Sequence, residues 1–203
     1  AVNLGWKLAA EIHGWAQAGL LDTYHDERHL AGGRTLLHTR AQVALRRGHD
    51  PAAEALRELF SDLLLDEQPL RRMGALLAGD VRYPMPGPAP HPLAGAFAPD
   101  LTAGLMRDAR PVLLDLADRA DLRQVAHAWR RRITIHTVAA DDRRTDALLI
   151  RPDAHIAWAA TLAEPTETAA AGLRESLRTW FGEPASFGPG VGQDDVDEVA
   201  PDE

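Results

Sequence analysis

The chain has 203 residues, 45% of them hydrophobic, enough for a sizeable core in one or two domains. It has no cysteine, which excludes disulfides, thiolate nucleophiles, iron–sulfur clusters and cysteine zinc sites, and no apolar run approaches the roughly 20 residues of a membrane span. The formal charge is −8; the last ten residues, DDVDEVAPDE, hold six acids and no base, leaving the rest near neutral with no basic stripe, so no nucleic acid partner is predicted.

Residues 1–20 read as an amphipathic helix with a stripe of Leu4, Leu8, Ile12 and Trp15 and with Gly19 near its end. Leu4, Leu8 and Ile12 are predicted to pack on helices at 24–47 and 51–65. The second helix starts around 21–24, takes Asp22 as its cap and ends at Gly48. Gly32 and Gly33 inside it each cost about 1 kcal/mol relative to Ala and predict a kink or a close contact. Asp50, Pro51 and Glu54 open a third helix as cap, first residue and first-turn acid. Its inward stripe is Ala52, Ala55, Leu56, Leu59, Phe60, Leu63 and Leu64. A fourth helix runs from about Pro69 to Ala78, with Met73, Leu76 and Leu77 inward, and stops at Gly79.

YPMPGPAPHP then places proline at 84, 86, 88, 90 and 92. Neither helix nor central strand survives that spacing, so an extended connector and a domain boundary are predicted here. Val112–Leu116 reads as a buried strand, 121–130 as a helix with Leu122, Val125, Ala126 and Trp129 inward, and 133–138 as a β-branched strand. Residues 147–159 read as a hairpin turning at Pro152-Asp153, and 166–181 as a helix capped by Thr166 or Thr168. The order β-α-β-β-β-α suits a small α/β domain with a crossover.

Local motifs for chemistry are few. His25 and His29, at i and i+4 in HDERH, lie on one helix face and could share a metal. The acid after His25 is Asp26, Glu27 lies further round the helix, and no third ligand is marked, so an ordinary polar face is the simpler reading. His13, His38, His49, His91, His127, His136 and His155 are scattered without ligand spacing. Asp115 and Asp118 suggest paired carboxylates, but Asp118, Arg119 and Asp121 read better as the polar turn and helix cap after a strand. GPGVG near residue 190 lacks the strand and helix that phosphate binding needs. No catalytic, cofactor-binding or metal residue is assigned.

Read in order, AVNLGWKLAA, LLDTYHDERH, HTRAQ, HPLAG with APDL, RPVLLDLA, LLIRPDAHIAWA and LRTWFG resemble the C-terminal part of the flavin-dependent aromatic hydroxylases of the phenol hydroxylase and aromatic polyketide type, from Ala1 to about Gly182. The resemblance implies an enzyme that binds FAD, uses NADPH and inserts one oxygen of O₂ into an aromatic ring in the cytoplasm. It implies an α plus α/β chain: 1–79 as the helical end of the FAD-binding domain, 80–92 as a Pro-rich linker, 93–182 as a thioredoxin-like domain lacking Cys-x-x-Cys, and 183–203 as an acidic disordered tail. Thiol–disulfide exchange is then excluded on chemical grounds.

Departures from the family pattern limit what this chain is expected to do alone. The Gly-Asp motif and the Gly-x-Asn stretch that precede AVNLGWKL in the family are absent, as are the dinucleotide fingerprint and the substrate-covering sheet. Leu30 stands where the family has Pro. Tyr24, Glu27 and Arg28 match and read as scaffold contacts; Asn3, Trp6 and Lys7 match the helix beside the flavin loop without an assigned cofactor contact. The implied partners are the N-terminal FAD and substrate domains, an aromatic small molecule and a possible second copy in a homodimer. No cofactor is expected on this chain alone. The alternative is a free-standing thioredoxin-like interaction or dimerisation module without redox activity.

Overall fold

The computed structural model describes residues 1–48, 50–77, 81–86, 91–98 and 104–184. Four helices come first: α1 (Val2–Ile12), α2 (Asp22–Arg47), α3 (Pro51–Leu63) and α4 (Glu67–Leu77). A mixed α/β unit follows: β1 (Val112–Asp115), α5 (Ala120–Ala126) running into a short 3₁₀ turn at His127–Trp129, β2 (Thr134–Thr137), β3 (Ala147–Ile150), β4 (Ile156–Ala160) and α6 (Thr166–Phe181). The chain is therefore mixed helix plus a small four-stranded sheet, and among the described residues no helix is long and apolar enough to cross a membrane. The predicted GPGVG loop and acidic tail lie outside the described residues, as do Ala78, Gly79 and part of the proline-rich run.

The sheet has the order β2-β1-β3-β4. β1 pairs parallel with β2, reached through the α5 crossover, and antiparallel with β3, which forms a hairpin with β4. Strand alternation sends Leu113 and Leu149 to one face, where Leu122, Leu173, Leu177 and Phe181 cover them. Val112, Leu114, Leu148 and Ile150 point to the other, against Leu93, Leu105 and Met106.

The helical half departs from the sequence reading in several places. The first helix ends at Ile12, not near residue 20, because the chain turns at Gly14 and Gly19, both at positive φ. Its buried side is Trp6, Lys7 and Ala10. Leu8 is 41% and Ile12 81% exposed, so the Leu4–Leu8–Ile12 stripe does not pack on the later helices. Trp6 instead meets Trp180 and Phe181 of α6, at ring separations of 6.4 and 6.2 Å. The better inward face carries a lysine, which hydropathy periodicity scores against.

α2 takes Leu21 rather than Asp22 at its N-cap, with no side-chain cap bond. It is continuous through Gly32 and Gly33, where an added Cβ would meet nothing within 4 Å, so no close contact explains that pair. The α3 start is as read: Asp50 accepts the Ala53 N–H at 2.9 Å, with Pro51 at the first position. No residue of α3 or α4 is buried, however. Leu56, Leu59, Leu63 and Leu77, predicted inward, are 49–62% exposed. α6 begins after Pro165 without a Thr166 or Thr168 cap bond. Asp118 at φ +56° and Arg119, the N-cap residue of α5, form the polar turn after β1 with Asp121 in the first helical turn, as read; the side chain that caps the turn is Asp115, whose Oδ1 accepts the N–H groups of Ala117 and Arg119.

Two glycines join the halves. Gly182, at φ +71°, packs its backbone on the Trp15 carbonyl, and Gly95, at φ +78°, on the Tyr83 carbonyl; a Cβ would overlap either oxygen.

Candidate functional site

Three buried charged residues converge where α1 and α2 meet the β3–β4 hairpin. Lys7 and Arg151 are fully buried and Glu27 is 2% exposed. Glu27 accepts from Lys7 Nζ at 2.8 Å and from both Arg151 Nη atoms at 2.6 and 2.9 Å. Arg151 forks a second time onto Asp153, Nε to Oδ1 at 3.1 Å and Nη2 to Oδ2 at 2.6 Å. Asn3 Nδ2 donates to Glu27 at 2.7 Å and to Asp153 at 2.6 Å. Two cations thus meet two carboxylates, and the cluster is neutral.

Aromatic rings seal it. The Arg151 guanidinium lies 4.4 Å from the Trp180 ring centroid, 5.5 Å from Trp6 and 5.9 Å from Tyr83. Tyr83 stacks on His155 at 4.2 Å and receives a long hydrogen bond from Arg28 at 3.4 Å. His155 Nδ1 approaches the Asp153 carbonyl at 3.0 Å. The hairpin turn places Arg151, Asp153 and His155 on this face because the Ala154 N–H returns to the Arg151 carbonyl and Ala154 adopts φ +62°.

The electrostatics follow from burial against pairing. Burial opposes ionisation of Glu27, but the Arg151, Asn3 and Lys7 hydrogen bonds prevail and lower its pKa. Burial likewise opposes ionised Asp153, and His155 and Arg151 overcome it, holding the carboxyl below the usual range. For Lys7 burial wins over Glu27 and the pKa falls, whereas for Arg151 the two carboxylates win over burial and it rises.

The other sequence candidates do not assemble. His25 and His29 are stacked neighbours 5.8 Å apart, and among the described residues no group of three or more potential ligands could hold a metal. Asp115 and Asp118 are both bound by Arg123, the latter at 2.8 Å, which makes them ion-pair partners. His136 is half-buried in β2. Of the motif residues, Asn3, Lys7 and Glu27 enter the cluster, Trp6 and Arg28 flank it, and Tyr24 is half-buried outside it.

Arg151 and Asp153 were missed as site residues, since RPD reads as a hairpin turn. The available signal was a charge closing the apolar run ALLI: a buried guanidinium there requires a carboxylate from elsewhere. The residues present do not by themselves fit a flavin. The donors of Lys7, Asn3 and Arg151 are directed at carboxylates, leaving no buried cation of the cluster for a pyrophosphate.

The chain matches two family models, an FAD-binding domain over residues 1–39 and the C-terminal region of aromatic-ring hydroxylases over 91–184. It belongs to the FAD-dependent aromatic-ring hydroxylases. Within them it corresponds to the C-terminal part of the polyketide-type monooxygenases. It is 42% identical over 202 residues to 12-dehydrotetracycline 5-monooxygenase/anhydrotetracycline 6-monooxygenase of Streptomyces rimosus, covering 91% of this chain and 39% of that protein. Rifampicin monooxygenase of Streptomyces venezuelae is 37% identical over 166 residues, 78% of this chain and 33% of that protein. Among solved structures, OxyS anhydrotetracycline hydroxylase from Streptomyces rimosus superposes with a TM-score of 0.77 at 42% identity, over 91% of this chain and 40% of that one. CabE, an aromatic hydroxylase from angucycline biosynthesis, gives 0.76 at 37% identity, over 91% and 40%. The chain thus spans about a third to two fifths of the length of these relatives.

Proposed function

We propose that this chain is the C-terminal portion of a flavin monooxygenase that hydroxylates an aromatic polyketide with O₂, FAD and NADPH. In that reading residues 1–79 complete the FAD-binding domain, 80–92 link it to a thioredoxin-like domain at 93–182, and 183–203 form a tail. The strand order β2-β1-β3-β4, with one parallel and two antiparallel pairings, supports the thioredoxin-like assignment. The flavin carries the hydroxylation chemistry. The residues of this chain supply scaffold: the Lys7–Glu27–Arg151–Asp153 cluster bonds the FAD-type segment to the C-terminal unit, and this is the observation that carries the reading. The tetracycline and rifampicin names of the relatives point to a polycyclic aromatic substrate, acting in the cytoplasm.

The test is the coding sequence upstream of Ala1. An open frame continuing into a Gly-Asp motif and a dinucleotide fingerprint is expected, and its product should bind FAD and oxidise NADPH in the presence of an aromatic polyketide. A start codon directly before these residues would overturn the reading. Flavin titrated into the 203-residue chain should give no stoichiometric yellow complex. The exposed leucines of α3 and α4 favour a second reading, a separate interaction or homodimerisation module. It predicts concentration-dependent light scattering, and a strictly monomeric chain removes it.

A further inference from the structure

The chain leaves α6 at one wall of a groove of about 580 Å³ that runs between α1 and the segments 109–111 and 131–132 of the α/β unit. Gly182, just after α6, is fixed there, since the Trp129 indole N–H donates to its carbonyl at 2.7 Å. Arg132 lines the groove and donates to the carbonyls of Phe181 and Glu183 at 2.6 and 2.5 Å. Pro184, the last described residue, follows directly.

Charge divides at this point. Arg110, Arg131 and Arg132 line the groove, and no acid does. Among the described residues none of the three has a carboxylate partner within 4.0 Å, in contrast to Arg119, Arg123 and Arg151. Beyond Pro184 the sequence carries Asp194, Asp195, Asp197, Glu198, Asp202 and Glu203 and no base. The net charge of −8 is therefore −2 over residues 1–184 and −6 over 185–203. The acids are also tethered close by. Asp194 is ten residues from Pro184, up to about 33–36 Å of chain. Arg131 adjoins Arg132, and Arg110 donates to the Arg131 carbonyl at 2.9 Å, so the whole rim lies near the tether. A short tether gives an effective concentration of about millimolar, at which exposed ion pairs that are weak singly suffice together.

We propose that the acidic C-terminal segment of this same chain docks on the groove. Asp194, Asp195, Asp197 and Glu198 pair with the guanidinium groups of Arg110 and Arg131, and Val196 rests on the apolar wall of Val2, Ala9 and Pro111. Because α1 forms one wall and the α/β unit the other, the segment is a strap across the junction, held by charge and released by salt.

The chain has no cysteine, so Ala200→Cys in the 203-residue chain gives a single site for a nitroxide label. The amide ¹H–¹⁵N signals of Ala9, Arg110 and Arg131 should lose more than half of their intensity relative to the reduced label, while those of α3 keep theirs. Sodium chloride at about 1 M, where the Debye length is about 3 Å, should restore the intensity. Replacing the six acids by Asn or Gln should do the same and changes none of the described residues. Arg110→Gln with Arg131→Gln should also restore it; both side chains are exposed, so the unfolding midpoint should hold. Labelled ¹⁴N chain mixed with unlabelled ¹⁵N chain should broaden nothing. No broadening at the groove, broadening centred on the arginines of α2, broadening that survives salt or the loss of the acids, or broadening passed between copies would each overturn the assignment.

Discussion

Replacing Arg151 by Met keeps an apolar stem over Trp180 and removes the guanidinium. Four hydrogen bonds vanish, two to Glu27 and two to Asp153. Glu27 keeps Lys7 and Asn3, whereas Asp153 keeps Asn3 and His155 among the described residues. The buried cluster passes from neutral to a net negative charge in surroundings that water does not reach. Breaking a buried pair from one side costs about 3–5 kcal/mol. At about 2–4 °C per kcal/mol for a chain of this size, the midpoint should fall by about 6–20 °C. Thermal unfolding followed by circular dichroism measures it. Glu27→Gln removes one of the stranded acids, so adding it to Arg151→Met should restore part of the loss, with a coupling of about 2 kcal/mol in a double-mutant cycle. A midpoint within about 2 °C of the parent for Arg151→Met, or losses that simply add, would refute the argument that pairing and not packing holds this junction.

The same cluster sets an acid limit. Glu27 and Asp153 have lowered pKa values in the folded state, so the unfolded chain binds more protons as pH falls below about 4. Stability present above that pH should be lost progressively through it, and urea midpoints across pH 2–6 should show a flatter acid limb for Arg151→Met. Asp121, held at about 2 mainly by its hydrogen bonds from Arg119, should titrate nearer the ordinary aspartate value in Arg119→Ala, read from its carboxyl ¹³C shift. Asp50→Ala should cost α3 about 1 kcal/mol and speed amide exchange at Ala53 while the sheet stays protected. Gly182→Ala meets both a positive φ and the Trp15 carbonyl, and its midpoint should drop by the equivalent of more than about 1 kcal/mol.

The α/β unit was legible because its signals are local. ITIHTV and ALLI carry β-branched or continuous apolar patterns, RPD marks the hairpin turn, and TETAAAGLRESLRTWF keeps a 3.6-residue stripe that the core uses. The helices were found as helices, and Asp50-Pro51 fixed one start to the residue. Their partners were not found. Periodicity ranked Leu4, Leu8 and Ile12 above a face of Trp6, Lys7 and Ala10, since it counts a lysine as solvent-seeking whatever pairs with it. The acid that makes Lys7 an inward residue sits 20 positions on, and the arginine that completes the set 124 beyond that acid. No window of a few turns contains the set, so the site was legible only as matching motifs, never as a contact.

Those separations also order events in time. α1 and α2 leave the ribosome well over a hundred residues before the β3–β4 turn that supplies Arg151 and Asp153. Until that turn is made, Glu27 has only Lys7 and Asn3, and the Trp6 side of α1 has no α6 to meet. Closing so long a loop adds an entropic barrier to the junction beyond that of the local hairpin. Within these residues, α1 and α2 are thus made before the turn that secures them. Substitutions in the cluster should leave the folding rate of the sheet nearly unchanged and appear in the rate of unfolding.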